Sequence, residues 1–391
     1  MKAAIVSALA AVAIGLAAPA PAHIVVSIND GKQLRPGEGP EARTPDSVAV
    51  IDLAASGPRI VGLLHAPVSM IGPPTSVAVA PDESFALVTA AQGLWPTSPP
   101  SLVQNDTLTV IDLARPAAPR IVQTLAAGDG ATGVSINRAG TLALVAATGD
   151  DTVTVFSIRR KRLTKVGVVR LDYESRPTDV AISPDGRSAL VVTQTPSRLV
   201  RLAIDGTRVT RTGVQIEAGE RPYGVIYDTT GQKAFVSALQ GRPLAPDGKP
   251  AAGPRSSAVT VVDLNSNTVI GGVDVGTVSE HLLLSPDGRY LAVVLINGST
   301  AAPTAPNYNA FGLLKVYRVE GATLTLVAET RTGGWSQGAT WSDDGRSILQ
   351  QAAMNREIEV YRFDGSSLVR APATSLKFES RPGAIAGAWS R

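Results

Sequence analysis

Cysteine is absent from this 391-residue chain, which excludes disulfides, thiolate metal sites and a cysteine nucleophile. Histidine is scarce: His23, His65 and His281 are the only three, and none stands at metal-ligand spacing. No D-x-D-x-D loop offers a calcium site. The motifs G-x-S-x-G, H-E-x-x-H, Walker A and the dinucleotide fingerprint are all missing. A strong charge of one sign is also lacking. The 36 basic and 33 acidic residues leave a net charge of +3, too little to mark a nucleic-acid or membrane-surface binder. Aromatic residues make up only 4% of the chain. Glycine and proline are plentiful instead, at 37 and 28, which suits many short strands joined by turns.

The one extended apolar run is at the N-terminus. Lys2 precedes a stretch of small apolar residues over 3–18, and Ala20-Pro21-Ala22 supplies an A-x-A cleavage site. Residues 1–22 are therefore expected to be a signal peptide and His23 the first mature residue. A retained anchor is the alternative, but the run is short for a membrane span and none follows it. An exported, cysteine-free chain fits a periplasmic or secreted location.

Internal repetition organises the rest. One segment recurs six times, most clearly as Pro177-Thr178-Asp179-Val180-Ala181-Ile182-Ser183-Pro184-Asp185-Gly186-Arg187. The other copies begin at Pro74, Ala131, Pro222, Ser279 and Ser336. Each is a short alternating run ended by a turn signal, the pattern of a strand entering a hairpin. A second apolar strand follows each turn, as at 85–89 and 290–295. A third strand recurs seven times, from Val48-Ala49-Val50-Ile51-Asp52-Leu53 to 358–363, and a more polar fourth strand follows it. Four strands per unit, repeated roughly every 45–57 residues, are the sequence signature of propeller blades.

The mismatch of six and seven fixes the topology. Pro382-Gly383-Ala384-Ile385-Ala386-Gly387-Ala388-Trp389 matches the first strand and then stops, while His23-Ile24-Val25-Val26-Ser27 matches the second and has no first strand before it. Together the two ends complete a seventh blade, which removes the open edges of a linear array. The expected fold is one all-β domain over 23–391: a seven-bladed β-propeller, four antiparallel strands per blade, closed by pairing of its terminal strands.

The S-P-D-G-R turn, the apolar strand after it and the V-x-V-[IV]-D-L strand together resemble the YVTN-repeat, lactonase-like seven-bladed propellers. The resemblance spans nearly the whole mature chain. The namesake tetrapeptide is degraded, for example to Leu87-Val88-Thr89-Ala90 and Phe235-Val236-Ser237-Ala238. The resemblance implies lactone hydrolases and lactonising enzymes, surface-layer proteins or exported nucleic-acid binders, and fold does not choose among them.

Two features gather on the propeller face that carries the second-to-third connections. Four of these connections are long: 30–46, 92–106, 240–257 and 297–311. Connections of that length are commonly functional or merely variable. At the heads of the first strands, Arg176, Arg221 and Arg381 each precede proline, beside Asp179, Tyr223, Glu280, His281, Trp335 and Gln337. Converging guanidinium groups could hold a carboxylate or phosphate. Glu280 or His281 could serve as general base or acid toward a lactone, and the arginines could stabilise its oxyanion. The competing reading makes R-P a blade-junction device and His281 a core histidine. No resident cofactor or metal is expected, although Glu280 and Asp179 could hold a divalent cation. Trp95, Tyr308 and Trp335 could stack a sugar or base, but no basic groove accompanies them. The function expected is binding of a small anion or a periplasmic protein at the channel mouth. The alternative is a lactonase-like hydrolase, with nucleic-acid binding a minor third.

Overall fold

Alternating apolar strands broken by glycine-containing turns fold each unit back on itself into a small antiparallel sheet. The computed structural model describes residues 23–53, 57–98, 100–239 and 256–388. Within them lie seven four-stranded sheets, one carrying an extra short strand, Leu376–Lys377. We number these blades by their innermost strands: Val77–Val79, Ala131–Ile136, Pro177–Ile182, Pro222–Tyr227, Ser279–Leu284 and Ser336–Trp341 head blades 1 to 6, and Arg381–Gly387 heads blade 7. Residues 1–22, expected to be a signal peptide, Trp389 and residues 240–255 of one long connection lie outside the described residues. No helix among the described residues is long and apolar enough to cross a membrane.

The two-residue period of a strand explains how the ring holds together. In Leu142–Ala147 of blade 2, Ala143 and Val145 face one neighbour and pack with Leu87 and Val110 of blade 1. Leu142, Leu144 and Ala146 face the other and pack with Val180 and Val191 of blade 3. Both faces of the strand are covered, so it is buried throughout and reads as an unbroken apolar run. Seven such cores each join two consecutive blades. One of them sets Leu349, Ile358 and Val360 of blade 6 against Val25, Ile51 and Ile385 of blade 7. Another sets Val26 and Ile28 of blade 7 against Val77 and Val88 of blade 1, closing the circle.

Blade 7 is built from both ends of the chain, as the repeat count requires. Ile24–Asp30 lies between Ser47–Asp52 and Arg381–Gly387, with Val25 opposite Gly387 and Ser27 opposite Ile385. The S-P-D-G segments are turn-makers. The Asp185 carboxylate accepts from the Ser183 hydroxyl (2.6 Å) and the Arg187 N–H (3.0 Å), while Gly186 takes the left-handed conformation at φ 70°. The Ser183 hydroxyl, then the Arg187 N–H, hold this carboxyl below its ordinary range.

The long connections differ from one another. The connection after Phe85–Trp95 is not an open loop but continues a β-ribbon, because that strand and Ser101–Asp112 stay paired through Gln92–Gln104 and Leu94–Leu102. The continuing alternation of side chains carries the ladder past a bulge at Ala90–Gln92. Residues 30–46 form an ordered loop. The Asp30 carboxylate accepts from the N–H groups of Lys32, Gln33 and Met70, and the Lys32 ammonium donates to Asp46 at 2.6 Å. The loop also needs Gly31, where a Cβ would lie 1.8 Å from the Thr44 carbonyl oxygen.

Candidate functional site

Every innermost strand begins on the face of the second-to-third connections. The residue just before it is left-handed in five blades: Gly130 (φ 66°), Arg176 (50°), Arg221 (51°), Val278 (57°) and Trp335 (54°). Glycine adopts this conformation freely, whereas a β-branched residue such as valine is strained in it. The preceding blade holds three of the corners. The Arg176 N–H donates to Asp151 Oδ1 (2.8 Å), that of Arg221 to Ser197 Oγ (3.0 Å) and that of Trp335 to Ser299 Oγ (2.8 Å). For Arg176 and Arg221 the backbone is therefore the blade latch, and their side chains are exposed.

Arg381 is different. Only 2% exposed, its guanidinium donates to the carbonyls of Gln33 (3.0 Å) and Ala353 (3.1 Å) and pairs with Glu38. It ties the 30–46 loop and blade 6 to blade 7, as the junction reading describes. Its guanidinium is thus committed between blades, whereas Arg176 and Arg221 are exposed. The Trp335 side chain is half-buried at its corner.

At the next repeat position lies a ring of residues: Thr75, Thr132, Thr178, Tyr223, Glu280, Gln337 and Gly383. Blades 1 to 3 keep threonine, and blades 4 to 6 replace it with groups able to do chemistry. The Tyr223 hydroxyl donates to Glu280 Oε1 over a long 3.5 Å, and the Gln337 amide bonds the same carboxyl from the other side. Glu280 is 5% exposed and Gln337 3%. Burial pushes the Glu280 carboxyl up to about 8, although hydrogen bonds from Tyr223 and Gln337 pull the other way. Burial, then the Glu280 charge beside it, raises the Tyr223 phenol well above its ordinary range, against the opposing charge of Arg221. The buried Gln337 Oε1 has no hydrogen-bond partner.

Asp179 lies at the next position and reaches past blade 2. Its Oδ1 accepts from the Thr75 hydroxyl of blade 1 (2.8 Å) and the Val180 N–H, and its Oδ2 from the Val225 N–H of blade 4 (3.0 Å). Gly133 makes room for it, since a Cβ there would sit 2.5 Å from Asp179 Oδ1. His281 turns toward blade 6, where its Nδ1 accepts the Ala339 N–H at 3.1 Å, a bond that sets the ring proton on Nε2. Among the described residues no group of three or more His, Cys, Asp or Glu side chains could hold a metal ion. Of the nine residues singled out in the sequence, Tyr223, Glu280 and Gln337 form one cluster, with Asp179 and Arg221 near enough to act on Tyr223. Arg176, Trp335, His281 and Arg381 stand apart in separate contacts. Sequence reasoning missed the left-handed corners, for which Gly130 is the only compositional sign. It also missed the ring, whose sign is the loss of threonine in three consecutive repeats.

No protein-family model matches this chain, and neither does any curated protein. Solved structures do. A candidate 6-phosphogluconolactonase from Bacteroides uniformis superposes with a TM-score of 0.70 at 15% identity, over 94% of this chain and 99% of that one. A periplasmic gluconolactonase from Pseudomonas aeruginosa gives 0.65 at 14% identity, over 93% and 98%. Dihydro-heme d1 dehydrogenase NirN gives 0.56 at 13% identity, over 95% and 76%. At these identities the likeness is one of fold, and the fold hosts more than one chemistry.

Proposed function

We propose that the protein hydrolyses a sugar lactone over the channel mouth between blades 4 and 6. The observation that carries this reading is the Glu280 carboxyl, buried, raised to about 8 and flanked by Tyr223 and Gln337. A carboxyl titrating so near neutrality suits proton transfer in both directions. The ionised Glu280 takes a proton from water as the water oxygen bonds to the lactone carbonyl carbon. The ring C–O bond then breaks, and the proton passes to the departing ring oxygen, leaving a hydroxy acid. Tyr223 holds the Glu280 carboxyl in place, Arg221 supplies a donor for the oxyanion, and the exposed Arg176 is suited to an anionic substituent on the sugar. The names of two fold neighbours, a gluconolactonase and a candidate 6-phosphogluconolactonase, support this substrate class. Export, expected from residues 1–22, adds a periplasmic location to the proposal.

A second reading has Arg176 and Arg221 capture a small anion or a partner protein without chemistry, favoured by the exposure of both side chains. One experiment separates the two. Hydrolysis of gluconolactone and its 6-phosphate, corrected for the spontaneous reaction, is followed from acid to alkaline pH with and without a chelator. Ionisation of Glu280 as base predicts kcat/KM rising through pH 8 to a plateau, and Glu280→Gln lowering it ~100-fold or more. Saturable binding of 6-phosphogluconate with no turnover supports the second reading. Turnover unaffected by Glu280→Gln removes Glu280 as the base.

A further inference from the structure

The opposite end of the central channel has a different character. There it widens into a cavity of about 390 Å³, lined by residues near the C-terminal ends of the innermost strands. Ala78 and Ala181 are too small to fill the axis, and Ile136, Ile182, Ile226 and Leu284 surround the space they leave. Farther in, Asp179 of blade 3 accepts from the Thr75 hydroxyl of blade 1. The result is a mainly apolar funnel, within the ~300–1,000 Å³ range of small-molecule sites.

Its polar groups are nearly all committed. Ser183 and Ser285 donate to the turn carboxylates of Asp185 and Asp287, each at 2.6 Å. Asp228 accepts from the Lys233 N–H (3.0 Å) and the Thr230 hydroxyl (2.7 Å), with the Lys233 ammonium 4.0 Å away. The Tyr227 hydroxyl shares a hydrogen bond with Ser188 at 3.2 Å. Arg138, exposed on the lining, has no hydrogen bond or ion pair among the described residues. The funnel thus presents an apolar wall and one uncommitted positive charge.

We infer that this funnel binds a small amphipathic carboxylic acid, its apolar body against the wall and its carboxylate on the Arg138 guanidinium. The assignment does not depend on lactone hydrolysis, because the two sites open on opposite faces and share no residue. Calorimetric titration of the mature protein with octanoate, and with 1-octanol as its uncharged counterpart, tests it. Saturable binding of one octanoate per chain, tighter than that of octanol, is expected. Arg138→Ala should weaken octanoate about tenfold and leave octanol unchanged. Ala181→Phe, which fills the wall, should abolish binding of both. Thr229→Trp, an exposed rim substitution, should obstruct the mouth even where the wall variant does not fold. Three results each overturn the inference: no saturable octanoate binding, equal affinity for octanol, or undiminished binding by folded Ala181→Phe or Thr229→Trp protein.

Discussion

Glu280 holds its proton at neutral pH because burial penalises its charge, and that couples folding to pH. Unfolded, the group titrates near its ordinary value of 4.5, and folded it titrates near 8. Between those values the native protein keeps a proton that the unfolded chain has lost. Stability is therefore complete below about 4.5 and falls as pH rises toward 8, by up to ~1.4 kcal/mol per unit. Glu280→Gln removes this titration. Its melting temperature should match the parent at pH 4.5 and exceed it at pH 8, and parallel curves for the two proteins would contradict the raised carboxyl. The variant that loses lactone hydrolysis should thus be the more stable one, a common trade-off at active sites. Glu280, Tyr223 and Gln337 were legible in the sequence as polar residues at the heads of the first strands. Their grouping was not, because side-chain direction depends on the bulges that offset each first strand, such as that between Ser279 and His281. The same bulges separate Asp179, which reaches back to blade 1, from His281, which turns toward blade 6.

Among the elements, the left-handed corner is the recurring device that positions each strand head. At Val278 it is filled by a residue whose branched Cβ opposes φ 57°. Val278→Gly should raise stability by roughly 1 kcal/mol, read as a higher melting temperature, because relief of left-handed strain outweighs the added freedom of the unfolded chain. A loss of stability would mean that the valine side chain contributes more by packing than its backbone loses by strain. Strands were the most legible part of this fold, since period-two apolar runs and S-P-D-G turns are local signals. The ribbon at 92–106 was not, because its polar residues resemble a loop until Gln92 and Gln104 are seen to pair. Arg381 left two readings open for a related reason. The R-P pair looks alike at three repeats, but only here does the 30–46 loop fold over the guanidinium and supply Glu38 and the Gln33 carbonyl.

At the scale of the whole molecule, closure depends on a few residues at each end. Arg381–Gly387 provides the innermost strand of blade 7, and Ile385 alone contributes ~1.5–3 kcal/mol by its burial between blades 6 and 7. Its neighbours Ala384 and Ala386 belong to the core shared with blade 1. Deleting residues 383–391 should lower the melting temperature by ~10 °C or more, or prevent folding, against a total stability of ~5–15 kcal/mol. An unchanged melting temperature would sink the closure account. Asp179 works on the same ring from within. Its strand belongs to blade 3, while its carboxylate holds the Thr75 hydroxyl of blade 1 and the Val225 N–H of blade 4. One side chain thus rivets three blades together near the axis, so a slip of any one of them is felt at once by the other two.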